Sequence, residues 1–321
     1  MSKDYKLVTI FGGDGFVGTQ VVQQLAQENF RIRVAVRRPD LAGHVVPLGN
    51  VGQIIPIQAN IRNYDSVARA VEGADIVINL VGIKSQSGKQ TFEAVHELGA
   101  KNIAQAAKNA NVKNLIHMSA LGADVESKSI SSRSKAKGEK QVLKAFPNAI
   151  IMRPSLIFGQ GDGFFNLFGA ISALSPILPV IGAKTLFQPI YVGDVATAFS
   201  LAAKGKAKNG TIYELGGAEI LSMRELMQEI TTQTGRNNYL LNVPSWIAKS
   251  KAFFLQILPS PLVTVDQITQ LETDNVVCEQ AIKQKRDIKS LGIKLTTMQA
   301  ILPTYMWRFR KDGEFKKLET S

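Results

Sequence analysis

Three glycines near the start of the chain have a spacing that suits phosphate binding. Gly12, Gly15 and Gly18 follow the apolar, β-branched run 6–11, and apolar residues then recur at helical spacing to residue 28. A strand that turns sharply into a helix directs unpaired backbone N–H groups and a partial positive charge at a ligand, which suits a pyrophosphate. Glycine is needed because a Cβ would block the turn or the approach of the phosphate. We therefore expect a dinucleotide to bind at residues 12–18.

Two arginines bear on which dinucleotide is bound. Residues 31–36 have the pattern of a second strand, and Arg37 and Arg38 follow it, where such a unit contacts the adenosine ribose. An acidic residue there would accept from the ribose 2′-hydroxyl and repel a 2′-phosphate, whereas arginine favours the phosphate. The sequence therefore favours NADP(H), with NAD(H) as the alternative. A solvated basic turn would explain the same two residues without a ligand.

Strand and helix patterns alternate through the first half of the chain. Further strands are predicted at 54–58, 75–80 and 114–118, and helices at 64–71 and 90–109. Strands joined by helical crossovers imply parallel pairing with helices on both sheet faces. The predicted fold class is α/β: a Rossmann-type doubly wound parallel sheet with a smaller C-terminal α/β domain on the substrate side.

The predicted domain boundary falls just before the middle of the chain. Residues 1–158 are assigned to the NAD(P)-binding Rossmann core. Residues 159–321 are a mixed region, in which about residues 186–204 complete the core and the rest forms the smaller substrate or partner domain.

Composition excludes several classes of protein. The single cysteine, Cys278, excludes an internal disulfide framework, and the three histidines have no metal-ligand spacing, so no metal is expected. The formal net charge of +12 points to anionic partners. The basic residues are nevertheless scattered and not interleaved with aromatic ones, so nucleic acid is not expected. A membrane surface or an acidic protein stays open.

Two further absences in the sequence bear on localisation. The first predicted strand begins within a few residues of Met1, which leaves no room for a targeting peptide. No uncharged apolar stretch approaches the length of about 18 residues that spans a membrane. Cytoplasmic residence is expected, and peripheral attachment at the inner face of the cytoplasmic membrane is the alternative.

Motifs along nearly the whole chain resemble one family. They are the glycine pattern above, Asn79–Gly82, Ser119, Arg153–Gly159 and Gln188–Ala196. Together they resemble the extended and atypical short-chain dehydrogenase/reductases. More narrowly, Ser134–Lys140, Ala145–Ile151, Thr273–Val277 and Leu291–Ile293 are similar to the NAD(P)H-binding accessory subunit of respiratory complex I (NADH:ubiquinone oxidoreductase) and its bacterial relatives. The resemblance implies a Rossmann core with tightly held, structural NADPH, and the lack of a transit peptide favours a bacterial member.

The resemblance also implies a set of residues that contact the cofactor. They belong to the glycine-rich turn, to the ends of later strands and to the helix at the reacting centre. They are Gly12, Gly13, Asp14, Gly15, Phe16, Val17, Gly18, Arg37, Arg38, Asn60, Ile61, Leu80, Val81, Gly82, Ser119, Lys135, Pro154, Ser155 and Leu156. Asn60 stands where the wider family often has an acidic residue near the adenine.

At the reacting centre the chain departs from the family. Short-chain reductases carry a tyrosine four residues before a lysine, so that both side chains face the nicotinamide from one helix. The lysine lowers the pKa of the phenol, which exchanges a proton with the substrate oxygen. Here Lys135 is present, Ser119 keeps the donor to that oxygen, and Ser131 replaces the tyrosine. Because a serine hydroxyl is a far weaker acid, classical reductase activity is not expected unless water or Tyr191 relays the proton.

Two C-terminal segments have compositions that suit a membrane surface or a partner. Residues 244–258 place lysines beside Trp246 and two phenylalanines, and residues 305–311 combine aromatic and basic side chains. Packing against the protein's own fold explains both equally well.

Two functions therefore stay open after the sequence is read. One is a cofactor-bound subunit attached to respiratory complex I or to a membrane surface. The other is a soluble NADP-dependent oxidoreductase or epimerase that acts on a carbonyl, nucleotide-sugar or quinone-like substrate.

Overall fold

A parallel sheet forms the centre of the larger of two units in the computed structural model, which describes residues 6–255, 264–311 and 313. The strands are β1 (Leu7–Phe11), β2 (Arg31–Val36), β3 (Ile54–Gln58), β4 (Ile76–Asn79), β5 (Asn114–Met118), β6 (Ile150–Pro154), β7 (Ile157–Phe158), β8 (Ile177–Val180), β9 (Leu186–Phe187), β10 (Ile190–Tyr191), β11 (Ile212–Leu215), β12 (Leu221–Ser222) and β13 (Tyr239–Asn242).

The helices lie between these strands and after them. They are α1 (Phe16–Gln27), α2 (Tyr64–Val71), α3 (Ala100–Asn109), α4 (Ile130–Ala145), α5 (Phe164–Leu174), α6 (Val192–Ala203), α7 (Met223–Thr234), α8 (Ser245–Leu255), α9 (Val265–Gln270), α10 (Glu279–Lys283), α11 (Met298–Ile301) and α12 (Pro303–Met306). A π-helical turn, Glu93–Gly99, leads directly into α3. Short 3₁₀ helices occupy Pro39–Leu41, Gly43–Leu48, Lys289–Leu291 and Trp307–Phe309.

The central sheet has seven strands in the order β11-β6-β5-β4-β1-β2-β3, and all neighbours are parallel. The chain lays β2 and β3 on one side of β1 and then returns to lay β4 on its other side. The direction of winding therefore reverses between β1 and β4. A crevice that binds ligands forms at the carboxyl ends of the strands at such a reversal. The predicted α/β class and doubly wound parallel sheet are confirmed.

The sheet is held by its β-branched side chains and by the helices that cover it. Ile10, Ile78 and Ile116 are fully buried, and α1, which packs on β2, buries Val21 and Leu25 completely. Burying each such side chain stabilises the fold by roughly 1.5–3 kcal/mol. This core fixes the carboxyl ends of β1, β2 and β4, where the candidate site lies.

The chain enters and leaves the first unit more than once. The first unit contains the chain up to Pro154, Gly193–Leu215 and Cys278–Ile293. The second contains Ser155–Val192, Gly216–Val277 and the chain from Lys294.

The second unit has a core of its own, in which Phe158, Phe165 and Tyr305 are buried together. Its strands pair two by two: β8 with β13 and β7 with β10 in parallel, and β9 with β12 antiparallel. α7 begins with a capping box, in which Ser222 Oγ accepts from Glu225 N and the Glu225 carboxylate accepts from Ser222 N. This reciprocal pair satisfies two backbone N–H groups at the start of α7.

Residues 305–311 form a strap on the second unit. The Tyr305 hydroxyl donates to Asp162 Oδ2 at 2.7 Å, and the side chain is 3% exposed. Phe309 lies over Gly169 of α5, where a Cβ would overlap its ring. Of the two explanations for this segment, packing on the protein's own fold is the one observed.

α8 packs only in part. Ala248 and Ala252 are buried with Ile268 of α9, whereas Trp246 is 71% exposed. Residues 256–258 of the predicted 244–258 segment lie outside the described residues. Throughout the described ranges, no helix is long and apolar enough to cross a membrane.

Candidate functional site

The turn from β1 into α1 requires glycine at two positions for reasons of the fold. Gly12 has a φ of 76°, and a Cβ there would lie 3.2 Å from Val81 Cγ2. A Cβ on Gly18 would overlap the Gly12 carbonyl oxygen, so only glycine lets the first turn of α1 approach the loop. Gly13 is also packed closely, because a Cβ on it would lie 3.0 Å from the Val34 side chain.

Gly15 is different, because the protein itself has room for a side chain there. Its φ of −82° and ψ of 178° are ordinary extended values, and the nearest described atom to a Cβ would be the Gly12 oxygen at 3.5 Å. Gly15 caps α1 without a side chain, so the N–H groups of Phe16, Val17 and Gly18 have no acceptor within the helix. This bare backbone lets an anion reach those N–H groups.

A cleft of about 570 Å³ opens in front of this turn. The predicted cofactor residues that line it are Gly12, Asp14, Gly15, Arg37, Arg38, Asn60, Ile61, Leu80, Val81 and Gly82. Other lining residues were missed by sequence reasoning, among them Leu41, Arg62, Ile83, Gln90 and Val95. They lie in connections after the strands and carry no motif, so only the strand order could have indicated them.

The two arginines after β2 differ in their surroundings. Arg38 makes a two-pronged contact with Asp40, with Nη2 2.6 Å from Oδ2 and Nε 3.0 Å from Oδ1. The Arg37 side chain is exposed, and its guanidinium has no hydrogen-bond or ion-pair partner among the described residues. The Arg37 guanidinium is therefore more available than that of Arg38 for contact with a ligand.

The predicted reacting-centre residues come from β5 and α4. Ser119, just after β5, is 2% exposed, and its Oγ has no partner among the described residues. Lys135 lies on α4 half-buried, with no acceptor for its ammonium group in the described part of the chain. Burial lowers the pKa of Lys135, and the Glu139 carboxylate opposes that shift. Ser131, one helical turn earlier, is buried, so α4 carries no phenol at that position.

A buried histidine network behind these residues was also missed. His96, in the π-helical turn, accepts from Ile83 N at Nε2, so its Nδ1 carries the proton and donates to Ser134 Oγ at 2.9 Å. Ser134 Oγ donates in turn to the Ser131 carbonyl at 2.7 Å. The network therefore joins the cleft loop at Ile83 to α4.

Burial keeps both histidines of this region neutral. It lowers the pKa of His96 to about 3 and that of His117 to about 4, and the charge of Lys135 adds to both shifts. Asn79 Nδ2 donates to His117 Nδ1 at 3.0 Å, while Asn79 Oδ1 accepts from Val81 N. Asn79 thus fixes both the His117 ring and the loop that lines the cleft.

The last three predicted cofactor residues divide between the units. Pro154 ends β6 in the first unit, and its carbonyl accepts from Leu121 N at 3.0 Å. Ser155 and Leu156 belong to the second unit, where Ser155 Oγ lies 2.7 Å from Asn275 Oδ1. The cleft of the first unit is therefore lined by none of these three among its described residues.

The chemistry of the first unit fits a dinucleotide on three counts. Gly15 leaves a space that a Cβ would fill, at the start of a helix without a side-chain cap. Arg37 supplies a cation at the end of β2. Ser119 Oγ and the Lys135 ammonium are polar groups left without partners by the described residues.

Comparisons with known proteins are in line with this geometry. The mitochondrial NADH dehydrogenase (ubiquinone) 1 alpha subcomplex subunit 9 of Arabidopsis thaliana is 34% identical over 320 residues, which cover 96% of this chain and 79% of that protein. Ceramide reductase of Caulobacter vibrioides is 33% identical over 194 residues, 59% of this chain and 58% of that one.

Solved structures share the fold. The NADPH-dependent quinone oxidoreductase of Escherichia coli, complexed with NADPH, superposes with a TM-score of 0.71 over 92% of this chain and 97% of that one, at 18% identity.

Residues 9–220 match the 3-beta hydroxysteroid dehydrogenase/isomerase family. The resemblance drawn from the motifs is thereby confirmed. This chain belongs to the 3-beta hydroxysteroid dehydrogenase/isomerase family, within the atypical short-chain dehydrogenase/reductases, and it resembles the accessory subunit of respiratory complex I.

Proposed function

We propose that this chain binds a nicotinamide dinucleotide in the cleft of its first unit, prefers NADP(H) to NAD(H), and holds it as a structural group. The observation that carries the proposal is the pair of positions on α4: Lys135 is kept, and a buried serine, Ser131, stands where a phenol would donate the proton. A site that keeps the groups that bind the cofactor but lacks the tyrosine that donates a proton to the substrate is suited to holding the cofactor rather than to using it in catalysis.

The chain's own residues account for each part of the cofactor. The N–H groups that follow Gly15 bind the pyrophosphate, and Arg37 pairs with the 2′-phosphate. Lys135 donates to the nicotinamide ribose, and Asn60 and Ile61 border the adenine. A bound NADPH would supply a hydride, but Ser131 replaces the phenol one turn before Lys135, so the usual proton donor for a carbonyl reduction is missing from α4.

We further propose that the protein lies at the inner face of the cytoplasmic membrane, as a cytoplasmic protein in contact with respiratory complex I. Support comes from the 34% identity to a complex I subunit over 96% of the chain and from the net charge of +12. Trp246 on α8 supports a surface contact, because its side chain is 71% exposed. Tyr305 is buried in the second unit and does not contribute.

Two measurements test this function. Mass spectrometry of the ligand released when the purified protein is denatured should identify NADPH in near-stoichiometric amount. Native gels of gently solubilised membranes should show part of the protein migrating with complex I, and high salt should release the electrostatic share of the attachment. Release of no nucleotide would contradict the cofactor, and complete recovery in the soluble fraction at low salt would contradict the attachment.

The second candidate is a soluble NADP-dependent oxidoreductase or epimerase acting on a carbonyl, nucleotide-sugar or quinone-like substrate. It is favoured by Ser119, whose buried Oγ has no partner among the described residues and lies after the strand that carries the substrate-oxygen donor in the family. Relatives and structural neighbours named as a ceramide reductase and a quinone oxidoreductase give it further support. Steady NADPH oxidation with a quinone, abolished by Lys135→Ala, would establish this candidate over the structural one.

A further inference from the structure

A second cavity, of about 440 Å³, lies beside the cofactor cleft at the carboxyl end of the edge strand β3. Its lining residues are Arg37, Gln58, Ala59, Asn60, Asn63, Ser66 and Arg69. Arg37, Ala59 and Asn60 also line the cleft, so the two spaces share a wall. A ligand in the cleft can therefore extend a substituent into this cavity.

Four arginines surround this end of the first unit, and two of them are already engaged. Arg38 is paired with Asp40, whose carboxylate would also repel an anion. Arg62 Nη1 donates to the Lys89 carbonyl at 2.9 Å. Arg37 and Arg69 are exposed and have no hydrogen-bond or ion-pair partner within the described ranges. These two line the cavity, whereas Arg38 and Arg62 do not.

Four uncharged polar side chains line the cavity, and the three besides Gln58 keep their donor groups available. Asn60 Oδ1 accepts from Arg62 N, Asn63 Oδ1 from Ser66 N, and Ser66 Oγ from Asn60 N, at 2.9–3.1 Å. Backbone N–H groups thus occupy the acceptor atoms of all three side chains. Their two amide NH₂ groups and one hydroxyl hydrogen meet no acceptor among the described residues.

Such a cavity selects for a compact anion. Two guanidinium groups, the donors of Asn60, Asn63 and Ser66 and the amide of Gln58 line it, and none of the described lining residues is acidic. Ser66 and Arg69 are three residues apart on α2, so they lie on one helical face and converge on the same space. Charge-assisted donors of this kind match the oxygens of a phosphate monoester.

We infer that this cavity receives the 2′-phosphate of NADP(H), and that Arg69 on α2, together with Arg37 and not Arg38, selects NADP(H) over NAD(H). The inference rests on the proposed function, because it needs a dinucleotide in the adjacent cleft. It assigns the selection to an arginine that follows the third strand, a position that the spacing after β2 does not indicate.

The test compares two arginines of one segment in the full-length protein. Arg69→Gln is the test variant, and Arg62→Gln is its matched control because the Arg62 guanidinium is held by a backbone carbonyl. Calorimetry measures the affinities for NADPH, NADH, 2′,5′-ADP and 5′-AMP. We expect Arg69→Gln to weaken NADPH and 2′,5′-ADP binding by about 10-fold or more, and to leave NADH and 5′-AMP unchanged. Arg62→Gln should keep the wild-type ratio.

The possible failures are distinguishable. A wild type that binds NADPH and NADH equally overturns the proposed cofactor preference and this inference together. A wild type that prefers NADPH, with Arg69→Gln keeping the full preference, overturns the inference and leaves the proposed function standing. Equal losses for NADPH and NADH also overturn it, because Arg69 would then act on the whole nucleotide. Arg69→Lys, which keeps the charge, should recover part of the preference and shows that any loss is not misfolding.

Discussion

Replacing Gly15 by alanine separates the needs of the cofactor from those of the fold. The backbone at Gly15 is extended, with φ −82° and ψ 178°, and a Cβ would stand 3.5 Å from the nearest described atom. Alanine lowers the conformational entropy of the unfolded chain relative to glycine, which stabilises the folded state by about 0.4–1 kcal/mol. It is also a poorer helix cap than glycine, by an amount of about the same size. The free energy of unfolding should therefore stay within about 0.5 kcal/mol of wild type.

The effect on the ligand should be much larger. The added methyl group would stand in front of the uncapped first turn of α1, where the proposed pyrophosphate would accept from the N–H groups of Val17 and Gly18. A hydrogen bond to a charged group contributes about 1.5–3 kcal/mol, so the loss of one such contact weakens NADPH binding by roughly 10-fold to 100-fold. Fluorescence titration with NADPH, beside urea unfolding of the same preparation, measures both quantities.

Two alanine variants serve as controls for Gly15→Ala. Gly43→Ala places a Cβ where no described atom lies within 4 Å, outside the cleft lining, so it should leave NADPH affinity unchanged and raise the free energy of unfolding by at most about 0.4–1 kcal/mol. Gly18→Ala drives a Cβ into the Gly12 carbonyl oxygen and should lower stability by about 1–3 kcal/mol or more. Unchanged NADPH affinity in Gly15→Ala would refute the placement of the pyrophosphate.

Three more predictions concern acid stability, catalysis and the strap. Because burial holds the pKa of His96 near 3 and that of His117 near 4, against about 6.5 when unfolded, stability is full above pH 6.5 and falls below it by roughly 1.4 kcal/mol per histidine per pH unit. Urea midpoints at pH 7.5 and 5.5 should show this fall, and His96→Gln should reduce it by about half, because His117 remains. Wild type should oxidise NADPH negligibly with simple carbonyls in an absorbance assay, and Ser131→Tyr should restore a trace. Tyr305→Phe removes the hydrogen-bond donor to buried Asp162, so urea unfolding at pH 7.5 should show a loss of about 1–3 kcal/mol in the free energy of unfolding. Because burial raises the pKa of Asp162, this loss should shrink as the pH falls towards that pKa.

Local rules were enough to predict the parts of the site that are contiguous in sequence. The strand, the glycines and the helix of residues 7–27 are contiguous in the sequence. Their spacing alone predicts that α1 begins after Gly15 without a side-chain cap. The capping box of Ser222 and Glu225 is likewise a local pattern of four residues, so it needs no long-range contact to form. The parallel sheet could be predicted from the alternation of strands and helices. Because β-α-β crossovers are almost always right-handed, few strand topologies are possible.

Contacts between distant residues were beyond those rules. His96 and Ser134 lie 38 positions apart, and the π-helical turn that aims the His96 ring has no signature in the sequence. The pairing of Arg38 with Asp40 was also not foreseen, although the two are close in sequence, because an exposed pair is decided by rotamers rather than by spacing. The sequence alone therefore could not distinguish Arg37 from Arg38 as the partner of a 2′-phosphate.

Retaining Lys135 without a tyrosine is consistent with a cofactor that acts through stability. Leaving Ser119 Oγ buried and unpartnered among the described residues costs roughly 1–3 kcal/mol, and the desolvated Lys135 ammonium adds a cost of its own. A ligand that supplies acceptors to both groups offsets these costs only in the folded state. At a concentration 100 times its Kd, such a ligand stabilises the fold by about 2.7 kcal/mol. Under the proposed function, selection for a stable fold therefore favours keeping the lysine, the serine and the glycine-rich turn even where no phenol completes the reaction.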